Sequence, residues 1–267
     1  MNLFWHEIKA NFRSFLIWSA SMVFLVAAGM MKYSAFAKTG ETVNDLFKTM
    51  PAELMTIMGI EAGFDLSSIA VFFSIFFLYF LLLMIVHSCL LGVSIIAKEE
   101  RDKTADFLLV KPIRRSKAVT AKILAALTLV VLYNIVTFAA SALFVGQANT
   151  TGESLTGKIF AVTSVLLIIQ VLFLGIGLLL GAWANSAARA AGLATAIILG
   201  TFLLKVLIDL QDSLDWLDFL TPFRYFNSAD IMFRNQVSVG YVVLSLAVTA
   251  VSVAGTYLFF QRRDLRC

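Results

Sequence analysis

The sequence predicts an all-α polytopic membrane protein, with six transmembrane helices preceded by an N-terminal amphipathic interfacial helix. Three observations predict it. Hydrophobic residues fill 60% of the 267 positions and charged residues only 14%, against roughly 45–50% and about 25% in soluble domains. Six apolar runs, at 15–36, 69–97, 123–146, 159–184, 190–208 and 239–260, approach or exceed the roughly 20 residues that a helix needs to cross the hydrocarbon core. The charges flank these runs instead of forming one stripe, which argues against a nucleic-acid surface despite the formal net charge of +4. The two cysteines, Cys89 inside a run and Cys267 at the chain end, supply neither a disulfide framework nor a metal spacing.

Residues 1–14 set Phe4, Ile8 and Phe12 on one helical face, with Glu7, Lys9 and Arg13 mostly off it. That is the pattern of a helix lying in the membrane interface. Ala35-Phe36-Ala37 resembles a signal-peptide cleavage site, but the long n-region containing Glu7 favours a retained first span. In the segment 38–68, Asn44 is placed to cap a short helix through Met58. Its Leu46, Phe47, Met50, Leu54 and Ile57 would rest on the membrane surface or the bundle. A lid packed on the spans is the expectation there, and substrate contact the competing one.

The second run carries Phe72, Phe73, Phe76, Phe77 and Phe80, which at helical spacing cover more than one face. Lipid contact and packing account for most of them. His87 is the ionisable side chain of consequence in this run, and such residues are functional candidates. A neutral histidine bonded to a neighbouring helix is favoured over a proton relay, because no carboxylate lies within the six runs. Tyr133 and Asn134 in the third run are candidates for bonds across helices. The fourth run holds Gln170 and the pair Gly177 and Gly181; the fifth holds Gly192, Ala196 and Gly200. Small residues four apart let helix backbones approach closely, within one subunit or between two. Lys32 and Lys205 stand near the ends of runs, where a lysine can snorkel to the interface.

Between the last two runs, Trp216, Phe219, Phe223, Tyr225 and Phe226 surround Pro222 and fit a membrane–water interface. Asp209, Asp212, Asp215 and Asp218 read as a solvated acidic rim, with a cation site the lesser alternative.

The segment 98–122, KEERDKTADFLLVKPIRRSKAVTAK, is a charged island holding eight of the chain's 21 Lys and Arg residues. A short helix is expected over 97–110, ended by Pro112, with Ala105, Leu108 and Leu109 as a small apolar face. Placing the N-terminus inside puts 14 basic residues on inner segments and seven on outer ones, the bias of the positive-inside rule. Both termini and the island are then cytoplasmic. Apolar and charged side chains together on such a turn suggest a docking surface for another protein.

The chain has no GxxxxGK[ST], HExxH, GxSxG or CxxC motif. His6 and His87 are far apart in the expected topology, and no ion-coupling relay is evident. The chain is therefore not expected to be an enzyme by itself, and transport would draw its energy from a separate protein.

Three segments carry a resemblance: the island followed by Ala121-Lys122, the stretch Leu220-Thr221-Pro222-Phe223-Arg224-Tyr225-Phe226, and the tail Phe260-Gln261-Arg262-Arg263-Asp264-Leu265. The chain resembles the permeases of type-2 ABC exporters over its whole length. The resemblance implies a permease subunit in the cell membrane, paired as a homodimer or heterodimer. It also implies two separate ATP-binding cassette ATPase subunits, which would hold ATP and Mg while this chain holds no cofactor. By position, Glu99, Glu100, Arg101, Thr104, Asp106, Phe107 and Leu108 would contact the ATPase. On the residues alone, a self-contained secondary transporter or channel and a membrane sensor or immunity protein stay open. A lipid-directed membrane enzyme lacks a recognisable catalytic set.

Overall fold

Each of the six apolar runs is a helix in the computed structural model, which describes residues 3–39, 51, 54–55, 68–101, 114–150, 152–234 and 236–262. They are α1 (Leu3–Thr39), α2 (Ile69–Arg101), α3 (Arg115–Ala148), α4 (Thr156–Trp183), α5 (Ala187–Leu210) and α6 (Val239–Arg262). All six are long and apolar enough to cross a membrane, and no strand occurs among the described residues.

Several helices overrun their apolar runs. The N-terminal segment is helical as expected, and it continues without a break into the first span. α2 extends through the charged residues to Arg101, and α3 begins at Arg115, well inside the island. Backbone hydrogen bonding does not stop where a run turns polar, and Lys, Glu and Arg are good helix formers. Of the helix expected over 97–110, residues 97–101 are the last turn of α2; the remainder lies outside the described residues. The short outer helix expected over 44–58 lies mostly outside them too. Its Leu54 and Met55 amides donate to the Pro51 carbonyl at 3.1 and 3.3 Å, one helical turn.

α4 is the central helix, touching α2, α3, α5 and α6, while α1 packs chiefly on α3. The glycines explain how α4 gets so close to α2. A Cβ on Gly181 would stand 2.9 Å from the Val93 carbonyl oxygen, and one on Gly177 would overlap the Cys89 carbonyl. Gly92 of α2 reciprocates, since a Cβ there would lie 2.6 Å from the Leu174 oxygen. The stripe Gly192, Ala196 and Gly200 behaves differently: all three are exposed on α5, and no atom of the described residues stands within 4 Å of a Cβ at either glycine. Of the α2 phenylalanines, Phe72, Phe73, Phe77 and Phe80 are buried in the bundle, so packing outweighs lipid contact.

After α5 the chain folds back along the bundle through two 3-10 turns, Asp212–Leu220 and Pro222–Arg224. Thr221 donates to the Thr201 carbonyl at 2.8 Å, nine positions before the end of α5, roughly 13 Å below its tip at 1.5 Å per residue. Phe223 packs edge-on against Phe202 and Phe173, with centroids at 5.5 and 6.2 Å. The interfacial aromatic belt expected here is thus divided. Trp216 and Phe219 are exposed, whereas Phe223, Tyr225 and Phe226 are core residues. Irregular backbone is tolerated at this depth because protein covers it.

Candidate functional site

The roots of the charged island are held by four helices. Lys122, on the first turns of α3, is fully buried; its Nζ donates to the Ile95 carbonyl of α2 at 2.6 Å and to Glu7 Oε1 of α1 at 3.2 Å. Lys98, near the end of α2, stands 3.8 Å from Glu7 Oε2, an ion pair too long for a hydrogen bond. Glu7 is itself only 1% exposed. One buried carboxylate therefore faces both lysines that bound the segment 98–122. On the other side, Arg115 donates to the Gln261 carbonyl of α6 at 3.0 Å, and the Thr120 and Tyr257 hydroxyls bond at 2.7 Å. Removing ions from water is costly, and a buried pair persists only when good geometry and further hydrogen bonds compensate. The Ile95 carbonyl supplies such a bond to Lys122.

Of the residues expected to contact a partner, Glu99, Glu100 and Arg101 lie in the last turn of α2, with only their backbone described. Thr104, Asp106, Phe107 and Leu108 lie outside the described residues. The sequence reading missed the pairing of Glu7 with Lys122, 115 positions apart. One signal was available: Glu7 is the only acidic residue among the first 40.

Inside the bundle, His87 is buried, and its Nδ1 does not make, among the described residues, the hydrogen bond to a neighbouring helix that the sequence suggested. Its ring lies between Trp18 at 5.7 Å and Tyr133 at 4.6 Å. Asn134 does bond across helices as expected, donating to the Thr163 carbonyl at 2.9 Å and to Gln170 Oε1 at 3.1 Å. Tyr133 does not; its hydroxyl has no hydrogen-bond partner among the described residues.

At the opposite end, the aspartates are not merely a solvated rim. Arg224 sits among them, 3.3 Å from Asp209, 3.1 Å from Asp215 and 2.8 Å from Asp218. The Arg224 guanidinium stands where a cation held by these carboxylates would stand. Lys205 is buried in the protein and paired with Asp209 at 2.5 Å. Burial pushes the Asp218 carboxyl above its usual range, an effect that Arg224 opposes and that Asp215 and Asp209 reinforce. The Arg224–Asp218 contact lacks hydrogen-bond alignment, since Asp218 Oδ1 has no hydrogen-bond partner among the described residues despite the short distance.

Six apolar helices long enough to cross a membrane, with a basic, many-helix joint at one end, define a multi-pass membrane protein. The family described as ABC-2 family transporter protein matches residues 1–265, and the chain belongs to it. It is a permease component of an ABC transporter, a membrane transport subunit of a family whose permeases work with a separate ATPase. No curated protein matches the chain.

Proposed function

We propose that the chain is the permease of an ATP-driven exporter in the cell membrane, with both termini and the 98–122 segment in the cytoplasm. That segment docks on the separate ATPase, with Glu99, Glu100, Arg101, Thr104, Asp106, Phe107 and Leu108 as the contact residues. ATP and Mg are held by the ATPase. The carrying observation is that α1, α2, α3 and α6 converge on the roots of this segment through Glu7, Lys122, Lys98 and Arg115. A segment whose two roots are fastened in this way can hand a nucleotide-driven movement to the spans. The 14-to-seven distribution of basic residues supports the inside orientation. The open small-residue stripe of α5 supports a second permease copy, identical or homologous, so that two ATPases serve two permeases.

Phe107→Asp and Glu100→Lys test the contact directly. Each abolishes co-purification of the ATPase with the permease while leaving the permease monodisperse and thermally unchanged. Full recovery of the ATPase with both variants would refute the assignment.

A further inference from the structure

We propose that Glu7 is a positioning residue, a latch whose buried carboxylate fastens the N-terminal turns of α1 to both roots of the 98–122 segment. Movement of that segment is then carried into the first span. The inference rests on the coupling reading and adds the joint through which it acts.

Three observations carry it. Glu7 faces Lys122 at 3.2 Å and Lys98 at 3.8 Å, one lysine on each flank of the segment. Glu7 and Lys122 are both essentially removed from solvent, so the contact is not screened as a surface pair would be. Glu7 also belongs to the same uninterrupted helix as the first span, Leu3–Thr39, so a displacement of its N-terminal turns passes along a rigid rod. Simple adhesion does not require charge here, because apolar side chains of similar volume hold such a site as well or better. A buried ion pair with a further bond to the Ile95 carbonyl instead fixes one register among three helices.

The test uses the full chain in lipid nanodiscs, co-expressed with its ATPase, with nitroxide labels at Ala10 and Lys117, both exposed, and Cys267→Ser. In the wild-type complex, the distance between the labels stays the same when ATP is added, because the latch moves both sites together. The comparison is Glu7→Leu combined with Lys122→Met, which leaves no unpaired buried charge from this pair and so keeps the fold. In that variant the ATPase still associates, the label distance shifts on ATP addition, and the difference in hydrolysis rate between complex and free ATPase is lost. Glu7→Gln gives the same distance shift. An unchanged distance and a wild-type hydrolysis rate in the double variant would overturn the latch, as would an ATP-dependent shift in the wild type. If no ATPase associates with the wild-type chain, the coupling reading fails and the latch's role with it. The label distance in the chain alone then still reports whether Glu7 holds the roots together.

Discussion

Gly177 of α4 lies directly against the carbonyl of Cys89 in α2, so closely that any side chain there would occupy the oxygen's place. The obstacle is backbone, which cannot rotate away as a side-chain tip can. Gly177→Ala therefore separates the two helices and costs about 1–3 kcal/mol, the usual range for overpacking. Gly192→Ala, with open space around it, stays within about 0.5 kcal/mol for the isolated subunit. Thermal unfolding of the two purified variants distinguishes them, and equal losses would contradict the packing described.

Lys122→Met leaves the Glu7 carboxylate buried, with Lys98 as its remaining described basic neighbour at 3.8 Å. Breaking a buried pair from one side costs ~3–5 kcal/mol, because the stranded charge keeps its desolvation penalty. Adding Glu7→Leu recovers most of that loss. A double-mutant cycle in melting temperature reads the coupling directly; strictly additive losses would mean that the two side chains do not interact.

The outer cluster has a pH dependence of defined sign. Asp218 has its carboxyl raised by burial, so the folded chain binds this proton more tightly than the unfolded chain does. Its contribution to stability is thus most favourable below the unfolded carboxylate value of about 3.9 and is lost as pH rises through the higher folded value. Asp218→Asn removes that loss. The variant's stability relative to wild type improves as pH rises through the acid range and then levels off. Melting temperatures across that range check it, and a relative stability that falls with pH would reject the burial argument.

His87→Phe tests whether the buried histidine acts through its nitrogens. Its described contacts are the rings of Trp18 and Tyr133, which phenylalanine can also meet. The substitution costs less than about 1.5 kcal/mol, as near-isosteric core swaps do, and leaves the ATP hydrolysis of the complex intact. Loss of hydrolysis without loss of thermal stability would instead assign His87 a chemical role.

The legible part of this protein was what depends on local properties. Six helices were readable because apolar run length is set by membrane thickness, and the island stood out because its charge is concentrated in sequence. The Gly177 and Gly181 spacing was readable as a close approach, and Asn134 as a bond across helices. Arg224 entered the sequence reading as one of the seven outer basic residues and as a member of the Leu220–Phe226 stretch, with no sign that it organises three aspartates. Of the partner-contact residues, Glu99, Glu100 and Arg101 have a described backbone at the end of α2, while Thr104, Asp106, Phe107 and Leu108 lie outside the described residues.

By itself, then, the sequence determined the number and order of the spans, the asymmetry of basic charge and the absence of familiar catalytic motifs. Tertiary structure alone decided that the stripe on α4 packs inside the bundle while that on α5 faces outward, and that Glu7 meets Lys122 across 115 positions. The reason is rotational phase. A soluble helix announces its buried face by amphipathicity, but a helix apolar all round carries no such mark. Which residues turn inward is then fixed only when neighbouring backbones and buried charges come into register.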